Sequence, residues 1–213
     1  MPSVYDLLAH QVATRPNAFA LEDVTGARLT YADLSTAADE IAEVLKTKGI
    51  TQGDREKIVS ENCAAKVAAL FATWLIGATA VPVNARQTEA EIARVDAHAE
   101  PKAMFFTTQV SPDAEKHSTT AQKKVADLDA STISGAWGQL TLHCPRGDSF
   151  AGDEDVAVLL YTTGTTCDPK CFMLTHANVR FGGKTSAELR GMHHDDLFYG
   201  VLPTPHVKSH CSD

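Results

Sequence analysis

The chain has 213 residues, enough for one sizeable hydrophobic core and part of a second. Its 44% hydrophobic and 22% charged residues are typical of a soluble globular protein, and its net charge of −8 argues against a general binder of nucleic acid or anionic membranes. The N-terminus lacks the basic start and apolar core of a signal peptide, and no apolar run approaches about 18 residues, so we expect neither a secretion signal nor a membrane span. Five cysteines, an odd number, favour a reducing, cytoplasmic compartment.

Strands and helices alternate over the first half of the chain. Apolar residues recur at helical spacing between Leu34 and Leu45, and Thr88 with Glu91 forms a capping box. The predicted elements are a helix capped by Ser3, a hairpin over residues 19–31, a helix from Thr30 or Asp33 to Gly49, a strand at 58–60, a helix from Asn62 to Gly77, a strand at 78–83, a helix over 88–99 and a strand at 102–107.

The second half contains one continuously apolar run, residues 156–161, as expected of a central parallel strand. Residues 108–124 are polar and aperiodic and predict a loop. The later predicted elements are a strand at 172–174, a helix from His176 to Leu189 and a strand at 197–202. Together the elements predict an α/β fold, with a mostly parallel sheet covered by helices on both faces. We expect an α/β subdomain over residues 1–161 and the start of a second, incomplete one over 162–213.

A hydroxyl-rich segment follows the apolar strand, and residues 161–177 read YTTGTTCDPKCFMLTHA. Threonine hydroxyls and backbone amides can donate to phosphate oxygens, Gly164 allows close backbone approach, and Lys170 supplies a positive charge. Ligands of α/β sheets bind at the carboxyl ends of strands, where this segment lies. The residues therefore indicate a polyphosphate site, although a hydroxyl-rich surface turn is an equally good interpretation of the pattern alone.

The segment resembles the phosphate-binding motif of the adenylate-forming superfamily, which includes acyl-CoA synthetases, luciferases and peptide-synthetase adenylation domains. That motif reads roughly Tyr-Thr-Ser-Gly-Thr-Thr-Gly-x-Pro-Lys-Gly, followed shortly by Leu-Thr-His. Three further stretches are similar to the same family: LTYADLSTAADEIAEVLKTKGITQGDR, LFATWLIGATAVPVNARQTEAEI and VLPTPHV. The resemblance covers nearly the whole chain and less than half of a family member.

The resemblance implies an enzyme that uses ATP and Mg²⁺ to convert a small carboxylic acid to an acyl-adenylate, and then transfers the acyl group to a thiol such as coenzyme A. The implied phosphate ligands are Thr162, Thr163, Gly164, Thr165, Thr166 and Lys170. His206 matches the family's histidine or aromatic residue beside the acyl pocket and is the candidate catalytic residue, with a surface or capping histidine as the alternative. The residues do not indicate an oligomeric state.

The chain departs from the family pattern at several points. Cys167 and Cys171 replace glycines of the motif, which predicts a shifted or crowded loop. Glu56, Lys57 and Lys208 occupy positions where relatives are apolar, and we expect these charges to be exposed. The family's downstream magnesium, ribose and hinge motifs and its catalytic lysine have no counterpart here, so we expect no adenylation by this chain alone.

Four alternatives remain open. A non-catalytic domain that binds a nucleotide or a partner would keep the fold without turnover. A second phosphate loop is conceivable at residues 182–185, although its first glycine is missing. Cysteine and histidine side chains could instead hold a metal ion or, for one cysteine pair, form a disulfide. The candidate metal ligands are Cys167, Cys171 and His176, or His206, His210 and Cys211, or His193, His194, Asp195 and Asp196, and the candidate disulfide is Cys167–Cys171.

Overall fold

A computed structural model describes residues 2–24, 26, 28–120, 140–143, 155–162 and 170–200. The described helices are α1 (Tyr5–Thr14), α2 (Tyr31–Thr47), α3 (Ala64–Leu75), α4 (Glu89–Ala99), α5 (Pro112–Thr120) and α6 (His176–Leu189). The described strands are β1 (Phe19–Glu22), β2 (Arg28–Thr30), β3 (Arg55–Ser60), β4 (Thr79–Asn84), β5 (Ala103–Thr107), β6 (Leu140–His143), β7 (Val156–Thr162) and β8 (Lys170–Thr175). Among these, no helix is long and apolar enough to cross a membrane.

Six of the described strands form one sheet in the order β6-β5-β3-β4-β7-β8. The four inner strands run parallel, while β6 and β8 pair antiparallel with β5 and β7 on the outside. β1 and β2 form a separate antiparallel hairpin. Helices cover both faces: α1, α2 and α3 pack on one side, and α4 and α5 on the other. The predicted α/β fold with a mostly parallel, two-sided sheet is confirmed.

Capping chemistry explains why several helix boundaries were predictable. Thr30 and Thr88 each accept a hydrogen bond from the third residue of their helix, and the acidic residue there bonds back to the cap. Thr175 does the same with Asn178, so α6 begins at His176 and ends at Leu189 as predicted. These reciprocal bonds satisfy amides that the first helical turn otherwise leaves unpaired.

Other predicted elements are wrong in detail. α1 begins after Val4, one residue later than a cap at Ser3 implies, but the Ser3 hydroxyl does accept from the first helical amide, of Tyr5, at 3.2 Å. Asn62 does not occupy the cap position of α3, which is Cys63, and the first amide of α3 donates to Asp23 at 2.8 Å. Part of the loop predicted at 108–124 is helix α5, and residues 197–200 are not in a strand. Residues 201 and 202 lie outside the described part.

Strand β6, which the sequence did not reveal, pairs with the β5 edge. Tertiary pairing thus overrides the weak local signal, because a short outer strand is stabilised mainly by its neighbour.

Strand β3 corrects the expectation that Glu56 and Lys57 are exposed. Both side chains are buried, with 0% and 1% exposure, and they point to opposite faces of the sheet. The Lys57 ammonium donates to the Asp96 carboxylate of α4, and burial lowers the pKa of Lys57 although Asp96 opposes that shift. The two buried ionisable groups are tolerated because each has a polar partner on the helix that covers it. Lys208 lies outside the described residues.

The contacts of Glu56 indicate that its carboxyl group is protonated. Glu56 Oε2 lies 2.7 Å from Thr73 Oγ1, which also lies 2.7 Å from the Ala69 carbonyl oxygen. One hydroxyl hydrogen cannot serve both acceptors, but a carboxylic acid can donate to Thr73 while Thr73 donates to Ala69. Burial raises the pKa of Glu56 to about 8, against the opposing effect of Thr73. Glu56 is therefore neutral at pH 7.

Substitution Glu56→Gln should make stability less dependent on pH. Because its pKa is raised in the folded state, Glu56 makes its full contribution to the free energy of unfolding below pH 4.5. That contribution is lost as pH rises towards 8, by at most about 1.4 kcal/mol per pH unit. The glutamine amide can still donate to Thr73. In urea unfolding at pH 5, 6.5 and 8, the free energy of unfolding of the variant should rise relative to that of the parent as pH increases. Glu115→Gln, at an exposed position of α5, is the matched control, and a pH-independent difference for Glu56→Gln would show that the group is charged.

His176 joins the first turn of α6 to the start of α1. Its ring is buried, and its Nδ1 accepts a hydrogen bond from the Val4 amide at 3.1 Å, which requires an unprotonated Nδ1. Burial lowers the pKa of His176; Asp155 and Asp6 oppose the shift, and Arg180 reinforces it. Arg180 Nη1 also donates to the Ser3 carbonyl at 2.7 Å. His176 therefore has a structural role in docking α1.

Acidification should weaken this contact. Because the pKa of His176 is depressed in the folded state, His176 contributes to the free energy of unfolding above pH 6.5, and this contribution is lost as pH falls through the folded pKa. Substitution His176→Asn keeps an acceptor but removes the titration, so the parent should lose stability relative to this variant between pH 7 and 5, as measured by urea unfolding. His10→Asn, on the exposed side of α1, should track the parent; the same behaviour of His176→Asn would contradict the assignment.

Candidate phosphate-loop site

Side-chain hydrogen bonds hold the strand that leads into the candidate loop. β7 and β4 share a single aligned residue pair, Ala80 with Val158. Beside that pair, Trp74 Nε1 donates to the Ala157 carbonyl at 2.9 Å, and Thr79 Oγ1 donates to the Val156 carbonyl at 2.8 Å. Both bonds are buried, where an unpaired carbonyl would be costly. They anchor the N-terminal half of β7 to α3 and β4.

The C-terminal half of β7 is the stem of a hairpin with β8. Thr162 is the register partner of Lys170, and Tyr161 is the partner of Cys171. Thr162 and Lys170 are both exposed. The structure thus brings the first and last predicted phosphate ligands, a hydroxyl and an ammonium group, to adjacent positions at the open end of the stem. The other four, Thr163, Gly164, Thr165 and Thr166, lie outside the described residues.

A group of polar side chains surrounds the stem one residue before its end. The Tyr161 hydroxyl lies 2.7 Å from His98 Nδ1 of α4, and the two rings pack edge to face at 5.6 Å. Cys171 lies directly opposite Tyr161 in the β7–β8 register, and both side chains pack against the same core cluster. The positive charge of Arg55 acts to lower the pKa of both groups, and its guanidinium is 3.8 Å from Glu100.

Cys171, which replaces a motif glycine, packs its side chain with Tyr161 against the core of the α4 face. It is a free thiol, and Cys167, the other half of the candidate disulfide, lies outside the described residues. Burial is the main cause that raises the pKa of Cys171, while the Tyr161 hydroxyl and then Arg55 oppose the shift. Burial also raises the pKa of Tyr161, and the neighbouring Cys171 adds to the rise. Both groups are therefore neutral near pH 7.

The described residues give little support to the alternative sites. No three His, Cys, Asp or Glu side chains within them are placed to hold a metal ion. Gly182, Gly183, Lys184 and Thr185 lie inside α6, so they form no phosphate loop. His176 is buried against Val4, and His194 contacts its neighbour Asp195 at 3.3 Å. The remaining candidates, Cys167, His206, His210 and Cys211, lie outside the described part of the chain.

Sequence reasoning missed His98 and Arg55. His98 is an exposed residue near the end of an amphipathic helix, and Arg55 opens a strand; neither belongs to a motif. The place of His98 beside Tyr161 follows from the packing of α4 across the sheet, and that of Arg55 follows from the strand order. No signal in the sequence marked them.

Comparisons with known proteins agree with this fold. The family model of AMP-binding enzymes matches residues 8–213. Among curated proteins, the chain is similar to the crotonobetaine/carnitine–CoA ligase of Escherichia fergusonii, with 28% identity over 195 residues. The match covers 87% of this chain and 38% of that ligase, and the Escherichia coli ligase of the same name matches with 27% identity over the same shares.

Solved structures give the same result. VinN in complex with 3-methylaspartate superposes with a TM-score of 0.76 and 25% identity, over 96% of this chain and 56% of VinN. ATP-bound MatB from Rhodopseudomonas palustris superposes with a TM-score of 0.70 and 25% identity, over 95% of this chain and 41% of MatB. The chain thus spans well under two thirds of these relatives. Because the family model matches nearly every residue, the chain belongs to the AMP-binding enzyme family.

Proposed function

We propose that this chain is the N-terminal part of an acyl-CoA synthetase-like ligase, which joins a carboxylic acid to a thiol with ATP as the energy source. The observation that carries the proposal is the hairpin stem that brings Thr162 and Lys170 side by side at the carboxyl end of β7. A hydroxyl and an ammonium group at adjacent positions suit the oxygens of a polyphosphate. Sequence similarity to CoA ligases and the fold shared with ATP-bound MatB support the same reaction class.

The role of the loop in such a reaction would be positioning and charge stabilisation. Lys170 and the hydroxyls of Thr162, Thr163, Thr165 and Thr166 would hold the β- and γ-phosphates, while Gly164 would allow close approach of the backbone. Held in this way, the α-phosphorus is open to attack by a carboxylate. Mg²⁺ would neutralise phosphate charge. Coenzyme A is the proposed thiol, and His206 is proposed to lie beside the acyl group.

We further propose that these 213 residues do not catalyse adenylation by themselves. The chain spans 38% of the CoA ligase that it matches, and the family's downstream motifs have no counterpart in it. Large apolar side chains are also exposed on β8 and α6: Phe172 by 52%, Met173 by 69%, Phe181 by 71% and Leu189 by 83%. Exposed apolar surface of this extent is typical of a face that other polypeptide covers. A non-catalytic nucleotide- or partner-binding domain is the second candidate, on the same evidence.

Nucleotide binding is the first test. Calorimetry with ATP and Mg²⁺ should detect weak binding by the parent chain, and Lys170→Met should weaken it about tenfold or more, because a charge-assisted bond to phosphate is lost. Lys184→Met, which removes an exposed lysine from α6, is the matched control. Equal affinities for the two variants would show that Lys170 does not contact the phosphates. Cys167→Gly should tighten binding if that cysteine crowds the loop.

Turnover is the second test. ATP–pyrophosphate exchange with a panel of carboxylic acids should show no acid-dependent rate for the 213-residue chain, since adenylation needs groups beyond it. Acid-dependent exchange would contradict the proposed incompleteness and identify the acid at once. ATP binding without exchange would fit both the ligase part and the non-catalytic domain. If adding the C-terminal part of a related ligase restores exchange, the chain is part of a ligase and not a non-catalytic domain.

A further inference from the structure

The hydrogen bond between His98 and Tyr161 connects two elements that are distant in the chain. His98 lies on α4 and Tyr161 on β7, 63 residues later, yet Nδ1 and the hydroxyl oxygen are 2.7 Å apart. The near-perpendicular ring packing, with an interplanar angle of 80°, adds a second contact between the same two side chains. The bond therefore ties the helix that covers one face of the sheet to the stem of the phosphate-loop hairpin.

The Cys171 thiol can extend this bond into a chain of three groups. If the Tyr161 hydroxyl donates to His98 Nδ1, the thiol can donate to the hydroxyl oxygen. If His98 Nδ1 carries a hydrogen and donates, the hydroxyl can donate to the Cys171 sulfur instead. The first arrangement gives both the hydroxyl and the thiol hydrogen an acceptor, whereas the second leaves the thiol hydrogen without one inside the group. Cys171, at this glycine position of the motif, lies opposite Tyr161 in the hairpin, and both side chains pack against the core of the α4 face.

The position of these three groups matters because the end of β7 has no aligned residue pair with β4. Within the described residues, β4 aligns with β7 only at Val158, and from Leu159 to Thr162 the strand pairs with β8 alone. Trp74 and Thr79 hold the other half of β7. The next register pair beyond Tyr161 and Cys171 is Thr162 with Lys170. Movement of the stem would displace both of these loop ends together.

We propose that His98, Tyr161 and Cys171 form a positioning unit that holds Thr162 and Lys170 in place for phosphate binding. His98 and Cys171 act through Tyr161 and need not touch the nucleotide. That the unit promotes phosphate binding rests on the proposed function, whereas its restraint of the β7–β8 hairpin does not. The unit also explains how the chain accommodates a cysteine at position 171.

Hydrogen exchange measured by mass spectrometry tests the restraint in the chain without nucleotide. Tyr161→Phe and His98→Ala should each accelerate amide exchange in residues 159–162 and 170–173 about three- to tenfold, the factor expected for loss of one hydrogen bond. The double variant should exchange no faster than the faster single variant, because both remove the same bond. His98→Asn should restore slow exchange, since its amide, like Nδ1, is attached to Cγ. His10→Ala is the control for a histidine removed from an exposed helix position.

Affinity for ATP and Mg²⁺ in the same variants tests the positioning. Tyr161→Phe and His98→Ala should each weaken binding about three- to tenfold, whereas His98→Asn should bind as the parent does. The melting temperatures of all these variants should be similar to that of His10→Ala. Fast exchange with unchanged affinity would overturn the positioning role. Exchange rates equal to those of His10→Ala would overturn the unit itself. A parent chain that binds no ATP would refute the proposed function and, with it, the role in phosphate binding, while the exchange data would still decide whether the restraint exists.

Discussion

The burial of two ionisable groups on opposite faces of β3 is the constraint on which much of the rest depends. Glu56 meets Thr73 of α3 on one face, and Lys57 meets Asp96 of α4 on the other. A buried charge or carboxyl without a partner is costly, so each helix is held at the position that supplies one. The strand thereby sets the register of a helix on each side of the sheet. An all-apolar strand would bury as much surface but would specify those positions less sharply.

The neighbours of those two partners are the residues that hold β7. Trp74 follows Thr73 directly and bonds the β7 backbone, and His98, two residues after Asp96, bonds Tyr161 near the end of the same strand. The strand that leads into the candidate phosphate loop is therefore held from both faces by helices that β3 has positioned. This arrangement matters at β7 because its ladder with β4 is short. The position of the loop ends follows from side-chain contacts more than from backbone pairing.

The elements that were predictable from sequence are those with a local physical cause. Thr30, Thr88 and Thr175 each open a helix through a reciprocal bond with the third residue of that helix, and such a bond depends only on nearby residues. The elements that were missed or misplaced lack such a cause. α5 is polar and has little periodicity, β6 depends on the β5 edge, and the first amide of α3 bonds to Asp23 of another segment. Each of these is decided by a contact between residues far apart in the chain.

The sequence by itself determined the family and the order of strand, second strand and helix over β7, β8 and α6, because motif residues act through local backbone geometry. It did not determine the state of the buried groups. The expectation that Glu56 and Lys57 are exposed was wrong, since their partners lie on helices that only packing brings near. Cys171 likewise looked like a defect of the motif, until the fold paired it across the hairpin with Tyr161. Only the tertiary structure could decide these points, because protonation, burial and hydrogen bonding depend on groups that are distant in sequence and adjacent in space.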